Sequence, residues 1–191
     1  MGSIVRSGSR QTAPVAPEAA ARGQQYLTFT VSGEAFAIPI AAIREIIEYR
    51  QPTDVPMMPP FIRGVINLRG RVVPVIDLAV RFGRERTEVS RRTCIVILEI
   101  QQQEVEQEMG VVVDAVSAVV EIADSDIEPP PSFGSRLRAD FISGMGKLGE
   151  KFIIILSIDH VISVEELSAL GGMGAAEVPA LPGVGLGEDR G

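Results

Sequence analysis

Tryptophan is missing altogether, and aromatic residues make up only 5% of the chain. Without broad aromatic surface there is no platform on which a sugar ring could stack. One cysteine, Cys94, stands among 191 residues, which excludes an intrachain disulfide framework and a thiolate zinc cluster and fits a reducing compartment. Positive charge is scarce: 18 Lys and Arg face 25 Asp and Glu, for a formal net charge of −7. A nucleic-acid binder working through a basic face needs the opposite balance, so that class is set aside. Long apolar runs are lacking too, since residues 152–156 form one of the longest and a bilayer span needs ~20. Residues 1–10 hold no hydrophobic signal core, and Arg6 stands where an N-myristoylation signal needs Ser or Thr. The expectation is a soluble protein of the cell interior, with no nucleic-acid partner and no direct membrane insertion.

Short β-rich segments fill the middle of the chain. Residues 1–24 are Gly, Ser, Pro and Ala without period and read as a flexible leader, and residues 171–191 read as a flexible Gly-rich tail. The folded unit is therefore 25–170. Residues 26–31 and 34–40 flank Ser32-Gly33 as a hairpin, and 65–68 and 72–78 flank Arg69-Gly70 as a second. Apolar residues at 40, 43, 46 and 47 have a helical spacing. Pro52, Pro56, Pro59 and Pro60 keep the next segment irregular. Residues 94–100 and 109–113 flank a polar tip at 101–108, and 116–122, 141–148 and 152–158 complete the strands. Residues 159–170 read as a closing helix, with Ser163 as N-cap and Glu166 three residues on. Strands this short and frequent point to barrels, not to a parallel α/β sheet.

An internal repeat organises the chain. Residues 37–48 superpose without gaps on 110–121, 61–70 on 141–150, and 26–31 on 94–99. Both halves carry Phe-Ile-x-Gly followed by Leu at the same spacing, at Phe61 and Phe141. Two small barrels follow, and since each half of about 70 residues is marginal alone, they are expected to share a core.

No set of residues assembles into an active site. Residues 144–149 spell G-x-G-x-x-G, but an apolar strand follows instead of the helix that a dinucleotide phosphate requires. Cys94 and His160, the lone thiol and imidazole, would need to be adjacent with a third group orienting the ring. Cys94 opens an apolar strand and reads as a small hydrophobe, and one His among scattered carboxylates makes no metal site. Asp77 and Asp114 lie in apolar surroundings, and a hydrolase pair would set them about 5–10 Å apart in one cleft. The plainer reading makes each a strand-end acceptor of backbone N–H bonds. No catalytic residue, cofactor or metal is expected.

Charge is segregated along the chain. Residues 61–92 hold eight arginines against three acids, whereas 101–128 hold eight acids and no Lys or Arg. Such opposition favours oriented contact with other proteins, unless the fold sets the two stretches side by side and cancels them. Arg69, between Leu68 and Gly70 at a hairpin tip, is expected to project from a rigid base, as interface arginines do.

Residues 61–78, Phe-Ile-Arg-Gly-Val-Ile-Asn-Leu-Arg-Gly-Arg-Val-Val-Pro-Val-Ile-Asp-Leu, resemble the signature of the chemotaxis coupling protein family, CheW. The motif positions are Phe61, Asn67, Leu68, Gly70, Pro74 and Asp77. The resemblance extends over nearly all of 25–170, through Ala37-Ile-Pro-Ile, Ile43-Arg-Glu-Ile and Gly110-Val-Val-Val-Asp-Ala-Val. It implies a mainly β fold of two intertwined five-stranded SH3-like β-barrels with short connecting helices and a C-terminal helix. It also implies a non-enzymatic adaptor between the cytoplasmic hairpin tips of chemoreceptors and the regulatory domain of a CheA-type histidine kinase, cytoplasmic and associated with membrane-anchored receptor arrays. Carried over by position, Ile43, Arg69 and Val119 correspond to receptor-binding residues, and Glu45 and Gly64 to kinase-binding or coupling residues. The acidic tip at 101–108 departs from the family pattern. A same-fold adaptor in a non-flagellar chemosensory pathway remains open, as does, more remotely, a small carboxylate hydrolase.

Overall fold

Two-residue turns fix the first elements. The computed structural model describes residues 23–102, 105–132 and 137–162. Strand β1 (Gly23–Val31) turns into β2 (Glu34–Pro39) through Ser32 and Gly33, at φ 49° and 77°. Two successive left-handed residues make a type I′ turn, whose twist matches that of the strands it joins. After one 3-10 turn, Ile40–Ala42, comes β3 (Ile43–Glu48), where the apolar spacing predicts a helix. The β-branched residues of this stretch instead pair antiparallel with a strand some fifty residues on, Ile46 facing Val96 and Ile47 facing Ile95. Pairing over this length outweighs the i, i+3 spacing, which a short apolar run supports poorly.

The second hairpin, β4 (Ile62–Leu68) and β5 (Arg71–Asp77), turns through Arg69 and Gly70 at φ 52° and 83°. Helix α1 (Leu78–Arg81) follows. Strands β6 (Cys94–Gln102) and β7 (Val105–Val113) carry their ladder through most of the stretch expected to be a polar tip, with Glu99 opposite Glu108 and Gln101 opposite Glu106. Then come β8 (Ala115–Ala123), the two-residue β9 (Ile127–Glu128), β10 (Ile142–Leu148), β11 (Lys151–Leu156) and the single-turn α2 (Ile158–Val161). The rest of the expected closing helix, with Ser163 and Glu166, lies outside the described residues, as do the tail and all of the expected leader 1–24 except Gly23 and Gln24, which begin β1 by pairing with Ala123 and Ile122. No helix among the described residues is long and apolar enough to cross a membrane.

The sheets explain why the barrels are intertwined. One runs β3-β6-β7-β5-β4, the other β8-β1-β2-β11-β10-β9. Each therefore takes its central hairpin from one half of the chain and its flanking strands from the other. Parallel pairs close both at matching places, β5 on β7 and β11 on β2. The backbone of Asp77 donates to Phe61 O at 2.8 Å, and 80 residues later Ser157 repeats the bond to Phe141 O at 2.8 Å. The fold is mainly β, a pair of SH3-like barrels, with β9 adding a short sixth strand to one of them.

Alternation along the shared strands divides the core. In β6, Ile95 and Ile97 point into the five-stranded barrel with Ile66, Leu68, Val73, Val75 and Val112. Val96 and Leu98 point the other way, into a larger core with Phe29, Phe36 and Ile38 of the second sheet. A smaller core, with Tyr26, Ala37 and Ile122, fills the six-stranded barrel. Burial on both faces is why these strands are apolar almost throughout. Arg81 spans the two halves: its guanidinium lies 4.6 Å from the Phe61 ring and 5.0 Å from the Phe141 ring, and its Nε donates to Val161 O at 2.7 Å.

Candidate partner-binding site

The β4–β5 tip is held from within. Asn67 Oδ1 accepts from the Gly70 backbone N–H at 2.8 Å, and Leu68 is buried beneath. Pro74 stands just before the stretch Val75–Asp77 that pairs with β7, where its missing N–H breaks no ladder. On this base Arg69 is in the left-handed region, an uncommon place for a residue with a side chain. From this base the guanidinium reaches across to β3. Its Nη1 donates to Glu45 Oε1 at 2.6 Å and its Nη2 to Glu45 Oε2 at 2.9 Å. The two-point bond draws the Glu45 carboxyl below the ordinary glutamate range and raises the Arg69 guanidinium. The Arg69 side chain remains 70% exposed.

This fork is one part of an ionic rim. Arg44 Nη1 bonds Glu99 at 2.6 Å and its Nε lies 3.5 Å from Glu108, while Arg71 Nη1 lies 2.7 Å from the same Glu108. The rim crosses β3, β6, β7 and β5 and mixes both charge signs. The two stretches segregated along the chain meet where Arg71 pairs with Glu108, whereas Arg63, Arg69 and Arg84 pair with Asp77, Glu45 and Glu34, which lie outside the acidic stretch.

Ile43 and Val119, paired by resemblance, lie on edge strands of different sheets. Ile43 packs against the shared core opposite Leu98, whereas Val119 is 49% exposed opposite Leu27. In the superposition of 37–48 on 110–121, Val119 corresponds to Ile46, itself 42% exposed. Ile46 is thus an exposed apolar residue that sequence reasoning did not single out, although the repeat contains the signal for it.

Gly64 is buried at a β-bulge with φ 132°. A Cβ there would run into the Thr53 carbonyl, which belongs to a reciprocal pair of bonds, Thr53 N to Val65 O at 2.8 Å and Val65 N to Thr53 O at 2.9 Å. A side chain at 64 would displace this backbone junction.

Asp77 caps α1. Its Oδ1 accepts from Ala79 N at 3.1 Å and from Thr87 Oγ1 at 3.0 Å, and its Oδ2 from Thr87 N at 3.1 Å and from Arg63. Both oxygens are occupied and the residue is fully buried, so it can reach no substrate. Asp114 sits apart at the β7–β8 turn, accepting from Gly33 N at 3.4 Å. Cys94 donates its thiol to Arg92 O, and burial pushes that thiol up, away from the reactive thiolate. On α2, His160 Nδ1 is 2.7 Å from Oγ of the N-cap residue Ser157 and makes no dyad with Cys94. Residues 144–149 form β10 and its turn, and strand β11 follows. Among the described residues no group of three or more His, Cys, Asp or Glu side chains could hold a metal ion.

Comparison with known proteins places this geometry in a family. The family described as CheW-like domain matches residues 25–166. A chemotaxis protein CheW of Klebsiella aerogenes is 38% identical over 146 residues, covering 76% of this chain and 86% of that protein. Protein FrzA of Myxococcus xanthus is 30% identical over 122 residues, covering 64% of this chain and 73% of that protein. The crystal structure of the scaffolding protein TtCheW from Thermoanaerobacter tengcongensis superposes with a TM-score of 0.68 at 30% identity, covering 84% of this chain and 96% of that one. A match of this length, on a chain whose hairpin tip carries Asn67-Leu68-Arg69-Gly70, establishes that the protein belongs to the CheW-like family.

Proposed function

We propose that the protein is a non-enzymatic adaptor, coupling the cytoplasmic hairpin tips of chemoreceptors to the regulatory domain of a CheA-type histidine kinase and so controlling kinase activity. The observation that carries this reading is the exposed Arg69–Glu45 fork at the rim of the five-stranded barrel, in a chain of the CheW-like family. A bidentate fork on a rigid I′ turn presents an arginine whose ordering cost is already met, which favours a protein partner. Arg69, Ile43 and Val119 serve the receptor in this reading, and Glu45 and Gly64 the kinase, Gly64 by holding the backbone. The adaptor works in the cytoplasm at receptor arrays. It adds no chemistry: receptor state biases which kinase arrangement is populated, a coupling of binding free energies.

The test reconstitutes the chain with receptor-bearing membranes and kinase from the same cell. Wild type restores receptor-dependent phosphorylation of the kinase and Arg69→Ala does not, while both give the same circular dichroism spectrum. Full activation by Arg69→Ala removes the fork from the mechanism, and no activation by wild type removes the adaptor reading. A second circuit, the same role in a non-flagellar chemosensory pathway, is favoured by the likeness to Protein FrzA, a relative whose name is not that of a chemotaxis protein. A pull-down from native extract that identifies the kinase and receptor separates the two.

A further inference from the structure

Glu108 on β7 is the one acidic side chain of the rim that is nearly enclosed, at 11% exposure. Neither of its oxygens receives a well-directed hydrogen bond, although Arg71 Nη1 stands 2.7 Å away and Arg44 Nε 3.5 Å away. A carboxylate taken out of water without directed bonds is costly unless cations stand close by. Glu108 therefore acts here as a fixed charge, set on the ladder opposite Glu99.

Its two cations flank the Arg69–Glu45 fork in sequence. Arg44 precedes Glu45, and Arg71 follows Arg69 across Gly70. Both lie close enough to Glu45 to help draw its carboxyl down, after the larger effect of Arg69. Arg44 has Glu99 at 2.6 Å as a second partner, whereas the ion pair of Arg71 is with Glu108. Removing the charge at 108 leaves Arg71 with Glu45 as its nearby acceptor, in competition with Arg69.

We propose that Glu108 is a positioning residue for the partner-binding hairpin: it holds Arg71 on β7 and so leaves Glu45 to Arg69. The second half of the chain, which supplies β7, thereby sets the electrostatics of a tip built by the first half. The consequence for partner affinity rests on the adaptor reading above; the pairing itself does not.

The experiment follows the Arg69 Nε–Hε NMR signal in the full chain, with the amide spectrum as the check on folding. Glu108→Gln is expected to shift the signal, and Glu108→Gln/Arg71→Gln, which removes the released competitor, to return it to the wild-type position. Glu108→Asp, a milder change that shortens the reach to Arg71, shifts it the same way by less and serves if the Gln variant does not fold. A signal unmoved in the folded single variants, or a shift that Arg71→Gln does not reverse, overturns the proposal. In a parallel titration with a purified chemoreceptor cytoplasmic hairpin fragment, Glu108→Gln is expected to bind about two- to tenfold more weakly, the cost of ordering one long side chain, with affinity restored in the double variant. Equal binding by wild type and Glu108→Gln overturns the link from Glu108 to the partner. No binding by wild type discards the receptor reading instead, and the NMR signal still decides the role of Glu108.

Discussion

The hairpin β4–β5 carries two arginines only six residues apart, each paired with a carboxylate, and the two pairs sit in opposite surroundings. Arg63 is buried on Asp77, whose two oxygens are further occupied by Thr87 and the start of α1. Arg69 lies at the open tip, forked onto Glu45 and mostly in water. The chemistry is the same and the surroundings differ. A buried pair cannot lose one member without stranding a charge, whereas an exposed one exchanges its partner for another carboxylate at small cost. The motif thus combines a buried rivet with an exposed, exchangeable pair.

Breaking the rivet has the largest expected effect. Asp77→Ala strands the Arg63 charge and removes the α1 cap, so it should cost about 3–5 kcal/mol in urea unfolding. Arg63→Met/Asp77→Leu, which removes both charges, recovers a large part of that loss. A double variant as unstable as the single one shows that the cap and the Thr87 bonds matter more than the ion pair.

Gly64→Ala comes next. Its φ of 132° and the Thr53 carbonyl leave no room for a methyl, so stability should fall by about 1–3 kcal/mol. Kinase binding should weaken along with it, because Gly64 serves the kinase by holding this junction, and unchanged binding by the variant removes Gly64 from the kinase site. Weakened binding at full stability would instead place Gly64 in direct contact with the kinase.

Arg69→Ala is smaller still for the fold, and there the comparison is sharpest. The urea midpoint stays within error of wild type while receptor-dependent kinase activation falls. The least effect is that of acid. Because its folded carboxyl is held below the usual range, Glu45 contributes stability that is fully present above the ordinary glutamate range and is lost as pH falls through the depressed value. Carboxyl chemical shifts should show Glu45 titrating at lower pH than in Arg69→Ala, and equal midpoints disprove the pairing in solution.

Much of the architecture could be read from local chemistry. Ser32-Gly33 and Arg69-Gly70 announced their turns, and Phe61 and Phe141, 80 residues apart, announced matching positions in the two sheets. The stretch 40–47 misled because its spacing suits a helix, and the strand that claims it, β6, is remote in sequence. The polar tip at 101–108 misled in the other direction, since charged residues continue a ladder wherever a partner strand is present. At the candidate site, Arg69 and Glu45 both stood out from the sequence, yet for separate partners. Their bond spans β3 and the β4–β5 tip, and no periodicity reports that approach. Arg63 looked like one more surface arginine of a basic stretch, because its burial depends on Asp77 and Thr87 from beyond its own strand.

The exchange of hairpins between the two sheets has a mechanical meaning. Severing the backbone between α1 and β6 would not free two pieces, because every sheet is stitched from both sides of the cut. The core shared by both sheets adds to this stitching, so a push delivered at one end is expected to tilt the whole block. A scaffold built this way turns as one piece and keeps its own shape.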